Sequence, residues 1–253
     1  MKNMTKLIFT AILFALLFSI SCVGDPAPSA PTQPPVKPAQ TAQAVQPVAP
    51  APVVEEIRGE ISLDRNFYLV IDGSGSMNEQ RNAGSFASKI DGAKWAAKEF
   101  ISKSVPPDVN LGLYVFDRRG ESERVPLGKN NRQQIISAID DIRADGGTPL
   151  SVAIKKGTDA LARQRNLQLG YGEFYIVVVT DGEATGEDLK IGVAHSLKNG
   201  IPIITIGFGI TGNHSLAKES ISYRTATNPA ELLGALKETQ AESTYLDSTV
   251  FGK

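Results

Sequence analysis

The sequence predicts an α/β fold: a doubly wound, mainly parallel β-sheet flanked by helices on both faces, with one short antiparallel edge strand. Three observations lead there. Short, nearly continuous apolar runs at 67–71, 109–116, 173–180 and 201–208 read as strands buried on both faces. Between them, apolar residues recur every three or four positions, the spacing of a helix with one core-facing side. Strand and helix alternate along the chain, as crossover connections between parallel strands require.

Taken in order, an edge strand is expected around 57–61, followed by the first buried strand, which stops abruptly at Asp72. Phe86, Ile90, Ala93, Ala97, Phe100 and Ile101 then mark an amphipathic helix that Pro106-Pro107 ends, with Trp95 read as a packing residue. The second strand, 109–116, runs into the turn Asp117-Arg118-Arg119-Gly120. Residues 124–127 suit a short edge strand, because Pro126 cannot donate to a central ladder. A helix is predicted over 130–143, with Ile135, Ile136, Ile139 and Ile142 on one face. In the loop Asp145-Gly146-Gly147-Thr148-Pro149-Leu150, Thr148 suits a helix N-cap and Pro149 a first turn. The paired glycines also allow a tight fold or a close approach. The helix behind that loop uses Leu150, Ile154, Gly157 and Leu161.

Ile176-Val177-Val178-Val179 is the most continuous β-branched run and must be a central strand; it ends at Thr180-Asp181-Gly182. A helix over 187–198 turns Leu189, Val193 and Leu197 inward, and Asn199-Gly200 ends it. After the strand 201–208 come a glycine-rich loop, a short helix near 215–220 and a short final strand from Tyr223. The last helix opens at Asn228-Pro229 and carries Leu232, Leu233 and Leu236, leaving 241–253 as a frayed tail. His195 and His214 read as surface residues.

The 253 residues, 42% hydrophobic and 21% charged with net charge −1, suit one folded domain plus additional segments. There is no basic excess of the kind nucleic acid binding needs. Residues 1–21 have the form of a signal peptide, with Lys2 and Lys6, a nearly apolar stretch at 7–20 and small residues at its end. That stretch is shorter than the roughly 20 residues a membrane helix needs. Ser19-Ile20-Ser21-Cys22 resembles the lipobox of bacterial lipoproteins. The resemblance implies cleavage before Cys22, lipidation of that cysteine and attachment to a membrane of the cell envelope. Val23, rather than an Asp, after the cysteine favours the outer membrane over the inner. Cys22 is the only cysteine, so an exported fold here relies on its core rather than on an internal disulfide. Residues 22–57 form a Pro/Ala-rich disordered tether, with nine of the fifteen prolines between 25 and 52. As a polyproline-II spacer, 25–52 would reach about 80–90 Å. The folded part is then 58–240.

Three loops share one structural station. Asp72-Gly73-Ser74-Gly75-Ser76 and Thr180-Asp181-Gly182 follow strands directly, and Gly147-Thr148 precedes a covering helix. A parallel sheet gathers such loops along its carboxyl edge, where ligands bind. Two carboxylates and three hydroxyls are hard oxygen donors and suit a divalent cation, Mg2+ first, with Mn2+ or Ca2+ acceptable to the same set. The pattern Asp-x-Ser-x-Ser, then Thr, then Asp resembles the metal-ion-dependent adhesion site of von Willebrand factor type A domains. Its positions here are Asp72, Ser74, Ser76, Thr148 and Asp181. The resemblance covers about 58–240 and implies that the two serines and Thr148 contact the metal while Asp72 and Asp181 often act through water. It also implies a protein partner whose Asp or Glu completes the coordination.

The leading expectation is therefore a lipid-anchored binding module, not an enzyme. A Mg2+-dependent phosphohydrolase also places an Asp at the end of a first strand, but it needs a second acid for proton transfer, and Ser74 occupies that position. Neither Ser74 nor Ser76 lies in a Gly-x-Ser-x-Gly elbow. The third class is a structural domain whose metal site is unused.

Overall fold

The computed structural model describes residues 59–250 apart from 211 and 213, with side chains up to residue 240. The signal peptide, Cys22 and the tether lie outside the described residues. Among those described, no helix is long and apolar enough to cross a membrane.

Six strands form one sheet: β1 (Arg65–Asp72), β2 (Asn110–Asp117), β3 (Gly120–Gly128), β4 (Glu173–Thr180), β5 (Ile203–Phe208) and β6 (Ser222–Ala226). Their order across the sheet is β3-β2-β1-β4-β5-β6. The β2–β3 pair is antiparallel and the other pairs are parallel. The chain winds outward from β1 to one edge, then returns beside β1 as β4 and winds to the other. The crevice at the carboxyl ends of β1 and β4 is therefore the topological switch point.

Alternation along the strands assigns each residue to a layer. Phe67, Leu69 and Ile71 of β1 join Tyr175, Val177 and Val179 of β4 on one face. There they meet α1 (Lys89–Lys103), α2 (Arg132–Asp140) and α5 (Pro229–Val250) through Ile90, Ile135, Ile139 and Leu232. Tyr68, Val70, Ile176 and Val178 face the other way, onto α3 (Leu150–Leu167) and α4 (Leu189–Lys198), through Leu150, Ile154 and Val193. Trp95 is half-buried against the first layer, 5.7 Å from Phe86 between ring centroids, in keeping with a packing role.

Several elements differ from the sequence expectation. Residues 59–61 are not a strand; the Glu60 amide instead donates to the Leu167 carbonyl, tying the incoming chain to the end of α3. The antiparallel edge strand is nine residues long, its charged residues Glu121, Glu123 and Arg124 having hidden the first half. A register shift around Leu113 accommodates Pro126. Leu197 is 64% exposed, not inward. The reason is the closeness of α4 to α3: a Cβ on Gly192 would lie 2.6 Å from the Ser151 carbonyl oxygen, so the buried face of α4 is centred on Gly192, Val193 and Ser196. The last helix continues to Val250, beyond the point where a tail is expected.

Candidate metal centre

Asp72 is the last residue of β1, fully buried, and flanked by β2 on one side and β4 on the other. Its Oδ1 accepts from the Ser74 amide at 2.8 Å. Its Oδ2 accepts from the Thr180 hydroxyl at 2.6 Å and more weakly from the Asp181 amide at 3.4 Å. Gly73 allows the chain to turn here without clearance: an added Cβ would lie 2.9 Å from both Asp117 Cβ and the Phe116 carbonyl oxygen. The next residues form a short 3-10 turn, Gly75–Asn78.

The hydroxyls form a directed line. Ser76 Oγ donates to Asp181 Oδ1 at 2.6 Å, which leaves Ser74 Oγ as the donor to Ser76 Oγ at 3.0 Å. Ser74 is buried and Ser76 is exposed, so the line passes the surface at Ser76 and ends on the buried side chain of Asp181. Thr148 completes the group from a third loop. Its Oγ1 and that of Ser76 each lie 3.9 Å from the point a Gly182 Cβ would occupy. The loops are bound to each other by backbone bonds, Gly75 N to Gly146 O at 3.0 Å and Asp145 N to Gly73 O at 2.9 Å. Gly146 has φ +85°, a conformation few other residues adopt, and Gly147 would drive a Cβ to 2.7 Å from Thr185 Oγ1.

Thr148 is not the cap that the sequence suggests. The N-cap of α3 is Pro149, which has no side chain to cap with, and Thr148 meets the helix only through its carbonyl, which accepts from the Leu150 amide. Its amide and carbonyl are also bound to Thr185, at 2.7 and 2.9 Å, so the backbone is fixed while the hydroxyl makes no hydrogen bond among the described residues. All five site residues named from the sequence thus come together at the switch point.

Electrostatically the centre sets two buried carboxylates against one buried ammonium. Burial pushes the Asp72 carboxyl up to about 6, and the neighbouring Asp181 adds to the rise, while hydrogen bonds from Ser74 and Thr180 oppose it. Asp181 Oδ2 is buried and receives no well-directed hydrogen bond; its partner is the Lys89 ammonium, an ion pair at 2.5 Å. Among the described residues, no three His, Cys, Asp or Glu side chains group to hold a metal. A cation here would rest on two carboxylates supplemented by hydroxyls, a hard oxygen set that fits Mg2+ or Mn2+. A cleft of about 330 Å3 opens beside Gly146 and Gly147, bordered by Asp117, Glu121 and Thr185. A larger one, about 510 Å3, lies between β3 and α2, away from this chemistry.

A family model for the von Willebrand factor type A domain matches residues 67–183, which include all five residues. The match spans just under half of the chain, and the fold is that of a von Willebrand factor type A domain. The uncharacterized protein sll0103 of Synechocystis sp. is 29% identical over 188 residues, 70% of this chain and 41% of that protein, so the chain spans about two fifths of this relative. The pilus adhesin SpaC of Lactobacillus rhamnosus GG superposes with a TM-score of 0.57 at 14% identity, over 74% of this chain and 31% of SpaC. Proximal thread matrix protein 1 of the mussel byssus, solved with a zinc-occupied MIDAS motif, gives 0.55 at 18% identity, over 71% of this chain and 48% of that one. At these identities the structural likeness concerns the fold.

Three residues that support this centre escape a reading of the sequence. Thr180 anchors Asp72 across 108 positions of sequence. Lys89 looks like an ordinary helix residue, yet a cation in a first helical turn opposes the macrodipole, and this one is 3% exposed. That conflict was the available signal. His214 is buried rather than on the surface. Its Nδ1 accepts from the Leu216 amide, so Nε2 carries the proton and donates to the Gly182 carbonyl at 2.8 Å, steadying the loop after Asp181.

Proposed function

We propose that this chain is a membrane-tethered binding module that holds a divalent cation with Asp72, Ser74, Ser76, Thr148 and Asp181 and offers it to an Asp or Glu of a protein partner. The observation that carries the reading is the gathering of two buried carboxylates and three hydroxyls from three loops, with the Thr148 hydroxyl left out of helix capping. An adhesin and a matrix protein with an occupied MIDAS motif among the structural relatives support it. When bound, Mg2+ or Mn2+ supplies a Lewis-acidic centre that attracts an oxyanion. The chain provides two carboxylates at most, one already paired with Lys89, so the cation keeps charge for an outside acid. The raised pKa of Asp72 resembles that of a catalytic group. Its cause is burial beside Asp181, however, and Ser74 stands where a proton-transfer acid would be, so we read the centre as one for docking rather than reaction. Lipidation of Cys22 would attach the module to the cell envelope, the outer membrane in preference, with 22–57 as its stalk.

The test is capture of partner from envelope fractions by the full chain, with Mg2+ and with EDTA, alongside calorimetric titration of Mn2+. Capture is expected to need the cation and to vanish in Asp72→Ala, whose affinity for Mn2+ should fall by more than about a hundredfold. Capture that persists through both treatments overturns the proposal.

A further inference from the structure

We infer that Lys89 sets which cation the site accepts, by holding one oxygen of Asp181 and thereby disfavouring Ca2+ relative to Mg2+ and Mn2+. The inference rests on the metal-binding reading above and concerns a residue outside the five-residue pattern.

The argument begins with the cost of placing Lys89 where it is. Its side chain is 3% exposed, and it sits at the first residue of α1, where the helix dipole repels a cation. Burying an ammonium is costly unless it is paired. Its pairs are Asp181 Oδ2 at 2.5 Å and Glu79 Oε2 at 3.6 Å. The backbone carrying it is fixed on both sides: its amide donates to the Glu79 carbonyl at 2.8 Å, and Ser88 before it caps the helix. Lys89 therefore approaches the centre from a rigid base rather than as a mobile surface chain.

The consequence concerns how many oxygens each carboxylate can give. Asp181 Oδ1 accepts from Ser76, and its Oδ2, with no exposure to solvent, belongs to Lys89. Asp72 has Oδ1 bound by the Ser74 amide and Oδ2 by the Thr180 hydroxyl. Neither can readily turn both oxygens to one ion. Ca2+ takes six to eight oxygens, often with bidentate carboxylates, whereas Mg2+ takes six in near-octahedral array and retains waters. A site limited to single carboxylate oxygens and hydroxyls favours the smaller ion. The ammonium also repels any dication nearby, so Lys89 lowers affinity generally while it narrows the choice.

The test titrates Mg2+, Mn2+ and Ca2+ into the full chain and into Lys89→Met, with thermal melting in EDTA to report folding. K89M is expected to bind all three ions more tightly, with the Ca2+/Mg2+ affinity ratio raised at least about tenfold. It should melt lower than the parent in EDTA, its Asp181 oxygen being left buried without a partner, and gain more from added Mn2+. Lys89→Gln is neutral but can still donate to Asp181, and keeps the question open to test if K89M does not fold. It should raise all three affinities about tenfold with a smaller change in ratio. Folded variants with the parent's affinities and ratio overturn the inference alone. Absence of binding in the parent and both variants overturns the metal reading and the inference with it. Binding in the variants but not in the parent overturns both, since Lys89 would then exclude every dication rather than choose among them.

Discussion

Both ends of the sheet are held by buried polar side chains, and the contrast lies between a network around Asn66 that is fully paired and one around Asp72 that is not. At the amino end, Asn66 donates to the Asp64 and Glu173 carbonyls at 2.8 and 2.9 Å and accepts from Asn110 at 2.8 Å. Nearby, Gln168 donates to the carbonyls of Ser62, Asp64 and Tyr171 and accepts from Gln164. These amides are fully used, and the residues they lace together turn Ile61, Leu63, Leu169 and Tyr171 to the outside. At the carboxyl end, the Thr148 hydroxyl makes no hydrogen bond among the described residues, Asp181 Oδ2 is held only by the Lys89 ion pair, and Asp72 is costly to ionise. A closed network stabilises the fold. An open one, maintained at some cost in stability, is where an outside ligand gains most.

The contrast can be broken from either end. Asn66→Ala should cause the largest effect, a loss of about 3 kcal/mol in unfolding free energy, since it orphans two carbonyls and Asn110 at once. Denaturant titration measures it, and Mn2+ affinity of the folded fraction should stay at the parent value. A large fall in affinity would show that the two ends are not independent. Thr180→Val acts at the other end. It removes the bond to Asp72 Oδ2 and should reduce Mn2+ affinity about tenfold, with a metal-free loss of about 1 kcal/mol, smaller than that of Asn66→Ala because one acceptor is left short.

The smallest expected effect is on pH dependence without metal. The folded pKa of Asp72, about 6, lies above the ordinary carboxylate value of 3.8, so the folded state holds the proton more tightly than the unfolded chain does. Ionised Asp72 therefore costs the fold up to about 3 kcal/mol near neutrality, and about 1 kcal/mol of this returns between pH 7 and pH 5. Melting in EDTA should consequently show the difference between the parent and Asp72→Asn shrinking as pH falls from 7 to 5. A difference that grows over that range would mean that burial does not dominate at Asp72.

What could be read from the sequence follows the range of the interactions. The continuous apolar run of β1 and the helical spacing of α1 are local, and so is Asp72-Gly-Ser-Gly-Ser, whose spacing is set within five residues. Thr148 and Asp181 were legible because each lies in a loop whose position in a parallel sheet is implied by the order of elements. Thr180 and His214 act across 108 and 32 positions on single atoms, and nothing in their own neighbourhoods announces it. Leu197 misleads for the same reason: which face of α4 is inward depends on how near Gly192 lets it come to Ser151. The capping role of Thr148 was a sound local rule that the loop geometry overrides.

The placement of Asp72 on the central strand has a kinetic meaning. Its main chain is laddered to β2 and the adjoining residue Ile71 to both β2 and β4, so exposing this carboxylate requires parting the middle of the sheet. Amide hydrogen exchange at Ile71 should approach the rate of global unfolding, whereas Gly147 and Gly182, carried on loops, should exchange through local openings. Binding and release can then proceed by loop fluctuation around a ligand anchored in the slowest-opening part of the molecule.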